Sequence, residues 1–213
     1  EVESGGFEKI SLGPNRRVGV LTHPLLLAQF AYADNTSPIH RGVFLARHIA
    51  GRTLKPPPNA IQFKDSEFKP DQTMREKVTH LTKAADCMSC HSIINPLGFA
   101  LENFDAIGRW RTKEKGRPIN SSSEYITATN TPLKLTGPRT IANYAADSPH
   151  GQRHFIEQLF NHLAKQAPGA FGRETLNELW QDFVKTDCNV PRLMTEITVR
   201  VAGGGLTHPG KKQ

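Results

Sequence analysis

Three residues near the middle of the chain have the types and the spacing for covalent and metal-ligand chemistry. Cys87 and Cys90 are separated by two residues, and His91 follows directly. On a helical turn, positions i, i+3 and i+4 lie on one face, so two thiols and an imidazole would point the same way. The thiols can then add to the two vinyl groups of one porphyrin while the imidazole reaches its iron. This C-x-x-C-H spacing predicts one covalently bound haem c, with His91 as the proximal iron ligand.

A C-x-x-C pair also occurs in other kinds of site. A thioredoxin-like site needs a βαβ setting, which the pattern along the chain does not predict. A zinc site needs a second ligand pair, and the sequence has no second C-x-x-C. A disulfide between Cys87 and Cys90 would leave His91 without a role. Haem attachment is therefore the favoured interpretation.

The third cysteine, Cys188, lies far from this motif. An odd cysteine in an exported protein can be a free thiol or form a bridge to another chain. Cys188 precedes the apolar pattern of Leu193, Ile197 and Val201. We therefore expect a buried free cysteine that packs as a small hydrophobic residue.

The composition indicates a folded protein without a membrane span. The chain has 213 residues, of which 37% are hydrophobic and 22% charged, values typical of globular domains. The longest apolar candidate, residues 18–33, is interrupted by His23, Pro24 and Gln29. A bilayer span needs roughly 20 apolar residues. Because a protein with haem c is expected to need export, we expect a periplasmic or otherwise exported location, and a trimmed chain or a piece of a longer one.

The charge balance bears on partners. The chain has 27 Lys and Arg residues against 20 Asp and Glu, a formal net charge of +7. These basic residues are spread along the chain and form no stripe interleaved with aromatics, so nucleic acid is not an expected partner. The excess is interpreted as a solvated surface, or alternatively as a docking face for an acidic redox partner.

Helices must position the C-x-x-C-H motif. A short helix is predicted from Pro24 to about Tyr32, and a second from Pro38, with Ser37 as its N-cap, to about Ala50. Thr73 and Glu76 have the spacing of a capping box, which predicts a helix leading towards the motif.

After the motif, residues 95–98 predict a turn, followed by a short helix near residues 99–107. Residues 124–127 and 133–135 alternate like a small hairpin, and helices are predicted from Ser148 and over 173–184 and 190–202. The fold class is thus mainly α: a cytochrome c-like haem domain with a small β-hairpin and a C-terminal helical domain. We expect a haem-binding domain over 1–120, and a hairpin and helical domain over 121–213 that packs on it.

The stretch from Cys87 to Arg111 reads CMSCHSIINPLGFALENFDAIGRWR. It resembles the large planctomycete-type multidomain cytochrome c proteins, and further stretches fit that resemblance at residues 17–24, 36–42, 55–58 and 155–160. The resemblance implies two adjoining domains, the first carrying haem and the second helical, at the C-terminal end of a longer chain. It also implies that the partners are other domains of that parent chain or a separate redox protein.

The resemblance carries Cys87, Cys90 and His91 over directly as haem-binding residues. It also matches seven residues without assigning them roles: Pro96, Gly98, Phe99, Phe104, Asp105, Gly108 and Trp110.

Some of these matched residues have a physical interpretation. Pro96 and Gly98 would turn the chain closely around the haem edge. Phe99, together with Phe104 and Trp110, would shield the haem from water, or the three are ordinary core aromatics. The nearby Arg109 and Arg111 would pair with haem propionates, or lie on the surface as single arginines.

The distal iron ligand is less well defined. No Met occurs between Met88 and Met194, and Met88 lies between the two cysteines, where it is badly placed to reach across the ring. His162 has helical spacing from Phe155 and Leu159, which predicts a place on an apolar helix face and makes it the best single candidate.

Three other residues remain candidates for that position, and an open five-coordinate iron is a further alternative. Met74 shares a helical face with Val78 and Leu81, which favours core packing instead. The candidates besides His162 are His40, His23 and Met74.

Two functions from different classes follow. The first is an electron-transfer module. The second is a peroxidase- or oxidase-like haem enzyme with an open distal site. Glu102 and Asp105 would be its acid–base pair, although carboxylates at this spacing are usually only solvated. A third interpretation is a rigid interaction domain in which haem supports stability. Electron transfer is favoured, and whether the chain is an enzyme is left open.

Overall fold

The computed structural model describes residues 16–55 and 63–203, and helices dominate this part of the chain. Its helices are α1 (Pro24–Gln29), α2 (Pro38–Phe44), α3 (Met74–Leu81), α4 (Ala85–Phe99), α5 (Pro138–Asp147), α6 (Pro149–Ala164), α7 (Thr175–Lys185) and α8 (Val190–Ala202). Its strands are β1 (Lys113–Glu114), β2 (Arg117–Pro118), β3 (Ser123–Ile126) and β4 (Pro132–Leu135). The prediction of a mainly α protein with a small hairpin is confirmed.

The chain divides into two compact units that alternate along the sequence. The described residues of the first unit are 16–42, 63–125 and 133–142. Those of the second are 43–55, 126–132 and 143–203. Residues 43–55 group with the C-terminal helices in the second unit. The predicted domain ranges 1–120 and 121–213 stay a prediction.

Local capping signals account for where the early helices begin. Pro24 and Pro38 each occupy a first helical turn, where the missing N–H costs no hydrogen bond. The Ser37 hydroxyl accepts from the backbone N–H of His40 at 3.3 Å, so the predicted N-cap is confirmed. Beyond α2 the helix continues as a π-helical turn, Leu45–Ile49, and stops at Ala50, as predicted.

Helix α3 begins at the predicted capping box. The backbone N–H of Thr73 donates to the Glu76 carboxylate at 2.8 Å, and the backbone N–H of Glu76 donates to the Thr73 hydroxyl at 3.3 Å. These two bonds satisfy donors that a helix end otherwise leaves open. The helix start upstream of the C-x-x-C-H motif is therefore confirmed.

Two predictions after the motif are wrong. The turn expected at residues 95–98, with Pro96 at its centre, is absent because α4 continues through Pro96 to Phe99. The short helix expected near residues 99–107 is a series of turns instead. Pro96 lacks the N–H that its helix position requires, but the surrounding packing keeps this segment helical.

The hairpin expected at 124–127 and 133–135 is confirmed as the paired strands β3 and β4. A smaller antiparallel pair, β1 and β2, was not predicted; it turns at Lys115 and Gly116, which both have positive φ. Helix α5 was not predicted either.

The second unit has a helical core. Ser148 and Asn189 cap α6 and α8, each accepting a backbone N–H. Six buried apolar residues from α6, α7 and α8 form the core: Ile156, Phe160, Leu179, Phe183, Leu193 and Ile197. Over residues 16–55 and 63–203, no helix combines the length and apolar character that crossing a bilayer requires.

Cys188 is a free cysteine, but the expectation that it is buried is wrong. It is exposed in the connection between α7 and α8, where its φ is 55°. The apolar residues that follow it belong to α8, and Cys188 itself lies before that helix begins.

Candidate haem-binding site

Helix α4 presents the C-x-x-C-H residues on one side. Cys87, Cys90 and His91 are half-buried, whereas Met88 and Ser89 between the cysteines are exposed. Both cysteines are free thiols. The helical placement at i, i+3 and i+4 that the sequence predicts is observed, and no disulfide uses these sulfurs.

The imidazole of His91 is held by a chain of hydrogen bonds that ends on α3. Its Nδ1 lies 2.9 Å from Oδ1 of Asn95, one turn further along α4. Nδ2 of Asn95 donates to the hydroxyl of Thr82 at 2.9 Å, and that hydroxyl donates to the carbonyl oxygen of Val78 at 2.8 Å. One ring nitrogen of His91 is thereby engaged, and these bonds leave Nε2 available.

Helix α4 packs against α2 through two glycines. A Cβ atom at Gly42 would clash with the carbonyl oxygen of Ile94, and one at Gly98 would clash with the carbonyl oxygen of Pro38. Each glycine thus opposes the backbone of the other helix at a spacing of four residues. Because only hydrogen fits there, the two helices approach closely, and this contact fixes α4.

A small apolar cluster packs α3 against α4. It contains Met74, Val78 and Phe99, all buried. The Arg75 guanidinium lies 4.4 Å from the centroid of the Phe99 ring. These are the contacts of core residues, as the sequence favoured for Met74. A contact between Phe99 and a haem stays a prediction.

The matched residues after α4 form a compact turn. Phe104 is fully buried, and its ring meets that of Trp110 edge-on with centroids 5.2 Å apart. The Asp105 carboxylate accepts the backbone N–H groups of Ile107 and Arg109 and pairs with the Arg109 guanidinium at 2.8 Å. Gly108 has a φ of 81°, a conformation that favours glycine. These contacts hold the turn together, and shielding of a haem by Phe104 and Trp110 stays a prediction.

Sequence reasoning missed a buried arginine beside this turn. The Arg41 guanidinium is buried and donates to four backbone carbonyls, those of Phe104 at 2.8 Å, Asp105 at 2.7 Å, Leu27 at 3.2 Å and Leu101 at 3.5 Å. These bonds tie α1 and α2 to the segment after α4. Burial lowers the pKa of Arg41 to about 10, so the group stays charged near neutral pH.

Glu102 lies next to Arg41 and is also buried, so the interpretation of a solvated Glu102 carboxylate is wrong. Oε2 of Glu102 accepts from the Thr36 hydroxyl at 2.9 Å and from Arg111 at 3.2 Å, but Oε1 lies 3.9 Å from Arg41. Burial raises the pKa of Glu102 to about 7, and its arginine neighbours oppose this only in part. An ion pair by itself would raise the pKa of Arg41 and lower that of Glu102, but both pKa values shift in the opposite direction. Desolvation of the two groups outweighs their attraction at 3.9 Å.

The two arginines proposed for haem propionates already have carboxylate partners. Arg109 pairs with Asp105, although its side chain is 76% exposed. Arg111 pairs with Glu102 and lies 3.8 Å from Glu114. Pairing with haem propionates stays a prediction for both.

The other histidines proposed as iron ligands have different surroundings. Nδ1 of His23 accepts the backbone N–H of Leu25 at 3.3 Å and so caps α1. His40 is exposed and contacts the ring of Tyr32, with centroids 5.3 Å apart. His162 is exposed on α6, whose buried face carries Ile156 and Phe160. The prediction that His162 lies on the apolar face is wrong, and its role as an iron ligand stays a prediction.

The exclusion of a zinc site for lack of a second ligand pair overlooked one, because His150 and His154 in the second unit have the spacing of zinc ligands. Nε2 of His150 lies 3.2 Å from the carbonyl oxygen of Ala50, and Nε2 of His154 lies 2.7 Å from that of Arg47. Burial lowers the pKa of His154. Both rings thus bond backbone carbonyls of the π-helical turn and of its capping residue. Within residues 16–55 and 63–203, no group of three or more His, Cys, Asp or Glu is placed to hold a metal ion.

The residues on α4 fit a haem. Attachment needs two reduced thiols and one imidazole on the same side of a helix, and α4 supplies Cys87, Cys90 and His91 in that arrangement. Haem iron takes its four equatorial ligands from the porphyrin, so a cluster of three protein ligands is not required. The bond to Asn95 also supplies the outer partner that a ligating histidine usually has.

Asn95 and Thr82 were missed as parts of the site. Asn95 lies four residues after His91, a spacing that places two side chains together on one helix. Thr82 comes from the end of α3, and no sequence pattern indicates that contact.

Residues 17–114 match the family model PSCyt3, described as a protein of unknown function (DUF1588). The matched range includes Cys87, Cys90 and His91. No curated protein matches the chain. No solved structure matches it either.

Proposed function

We propose that this chain binds one haem c, with thioether bonds to Cys87 and Cys90 and with His91 as the proximal iron ligand. We further propose that it transfers electrons within a larger exported redox protein or complex. The observation that carries the proposal is the arrangement on α4, where two free thiols and an imidazole share one side of the helix. The abbreviation Cyt in the name of the matching family model is in keeping with this function.

The bound group would supply one-electron redox chemistry. The chain's own contribution is attachment and orientation: two sulfurs fix the position of the group, and His91 is aligned through its bond to Asn95. The rigid contact of α4 with α2 keeps these three residues in place. Such fixed surroundings favour electron transfer because little rearrangement accompanies a change of charge.

The alternative function is a haem enzyme with an open distal site. The observation that keeps it open is that His23 caps a helix, Met74 is buried in the core, and His40 and His162 are exposed. None of these four candidates is therefore identified as the distal ligand by the described part of the chain. An iron without one could bind peroxide or a small substrate.

Absorption spectra of the oxidised and reduced protein, with a redox titration, distinguish the two functions. Electron transfer predicts low-spin iron in both states and one reversible one-electron step, with no new band on adding carbon monoxide. A high-spin spectrum that changes on adding carbon monoxide or peroxide would favour the enzyme.

The proposal also includes a redox partner, which is a separate protein or another domain of a longer parent chain, and an exported location. The net charge of +7 favours an acidic partner, whose association would weaken as salt is added.

A further inference from the structure

We propose that Asn95 is a positioning residue for His91. Its amide, oriented by Thr82, fixes the imidazole tautomer in which Nδ1 carries the hydrogen and Nε2 has the free lone pair. This inference rests on the proposed function, because the lone pair of Nε2 matters only if it ligates iron.

The hydrogen-bond chain starts at Thr82. Its hydroxyl oxygen lies 2.8 Å from the carbonyl oxygen of Val78. Two oxygens this close need a hydrogen between them, and a carbonyl has none to give. The single hydrogen of the Thr82 hydroxyl is therefore committed to Val78, and the hydroxyl oxygen can only accept from any other group.

The orientation of Asn95 follows from that commitment. The amide atom that lies 2.9 Å from the Thr82 oxygen must be a donor, so it is Nδ2. Oδ1 of Asn95 then faces His91, 2.9 Å from Nδ1. Because Oδ1 is only an acceptor, Nδ1 of His91 must carry the ring hydrogen, and Nε2 is left unprotonated.

Burial makes this orientation costly to reverse. Asn95 is 7% exposed and Thr82 is 3% exposed, so water does not readily replace their partners. If the amide were rotated by half a turn, Oδ1 of Asn95 would face the Thr82 hydroxyl and would need its hydrogen. The carbonyl oxygen of Val78 needs the same hydrogen. One buried polar contact would be lost, and such a loss is unfavourable.

The consequence for a bound iron has a definite sign. A hydrogen bond from Nδ1–H pushes electron density towards Nε2, which stabilises the oxidised iron relative to the reduced iron. A stronger acceptor at position 95 should therefore lower the reduction potential, and loss of the acceptor should raise it. A change in packing alone does not predict that these two kinds of variant shift the reduction potential in opposite directions.

The test uses the haem-loaded protein and four variants, each checked for haem by mass and then titrated for its midpoint potential. Asn95→Asp, with a stronger acceptor, should shift the equilibrium constant for reduction about tenfold towards the oxidised state, about 59 mV lower. Asn95→Leu should shift it in the opposite direction. Thr82→Val should follow Asn95→Leu, and the matched control Thr82→Ser should leave the potential unchanged.

Two results would overturn the inference, and they differ. If all four loaded variants keep the original potential, Asn95 does not position His91, and haem binding still stands. If the unmodified protein carries no haem, the proposed function fails and this inference fails with it. Asn95→Asp and Thr82→Val nearly conserve side-chain volume, so the comparison stands even if Asn95→Leu does not fold.

Discussion

The backbone of Gly98 on α4 packs directly against the carbonyl group of Pro38 on α2, and no side chain fits between them. Together with the matching contact of Gly42 and Ile94, it holds the helix that carries Cys87, Cys90 and His91.

Gly98→Ala tests the importance of this contact. Alanine normally stabilises a helix interior relative to glycine by up to about 1 kcal/mol. Here its methyl group would meet the Pro38 carbonyl, so we expect the free energy of unfolding to fall by about 1–3 kcal/mol, as overpacked cores usually show. Urea denaturation measures the change.

Gly169→Ala is the matched control, because nothing lies within 4 Å of the position where its Cβ would be. It should leave stability nearly unchanged. If Gly98→Ala and Gly169→Ala had equal free energies of unfolding, α2 and α4 could move apart to admit the methyl group with no loss of stability.

The pH dependence of stability tests the buried state of Glu102. Its pKa is raised by burial from 4.5 to about 7, so the folded protein holds a proton that the unfolded chain releases. The slope of unfolding free energy with pH is then negative, and stability should fall between pH 4.5 and pH 7. The full contribution is on the order of 3 kcal/mol.

Glu102→Gln should remove this part of the pH dependence, while the exposed Glu124→Gln should retain it. Denaturant titrations at several pH values between 4.5 and 7 provide the comparison. If Glu102→Gln and the unmodified protein show parallel stability curves, Glu102 titrates as a solvated carboxylate.

Cys188 should be the thiol that reacts in the native haem-loaded protein. It is exposed, whereas Cys87 and Cys90 would be consumed as thioethers. Alkylation followed by mass measurement should add one label, and Cys188→Ser should abolish labelling. That variant should keep its haem and change stability by no more than about 0.5 kcal/mol, as surface substitutions usually do. Labelling at Cys87 or Cys90 would contradict thioether attachment.

The distal ligand is tested by four variants of the loaded protein. Met74→Leu should leave the spectra unchanged, because Met74 packs with Val78 and Phe99 in the core. His23→Ala, His40→Ala and His162→Ala each remove one candidate nitrogen, and we expect one of these three to convert low-spin iron to high-spin iron. A change of spin state in Met74→Leu would show that the core assignment is wrong.

Features set by neighbours in sequence could be predicted, as the capping box of Thr73 and Glu76 shows. Features set by packing could not. The residues around Pro96 have the composition of a turn, but Gly98 packs on α2 and the helix continues. Likewise, the spacing that links His162 to Phe155 is helical, but the face of α6 that is buried is the one that carries Ile156 and Phe160.

The candidate site shows the same division. The types and spacing of Cys87, Cys90 and His91 are local, so the sequence alone indicates them. Asn95 acts together with Thr82 on a different helix, and Glu102 is buried with Arg41, which lies far away in the sequence. Contacts between distant segments depend on the tertiary fold, which the spacing of residues does not reveal.

Covalent haem binding is tested most directly by the mass of the intact chain under denaturing conditions, after expression with haem-attachment machinery in an exported compartment. Thioether bonds survive denaturation, so we expect the mass of the polypeptide plus one haem. Cys87→Ser combined with Cys90→Ser should reduce this to the mass of the polypeptide alone, and Cys188→Ser should not. A mass equal to that of the bare polypeptide for the unmodified chain would contradict covalent haem binding.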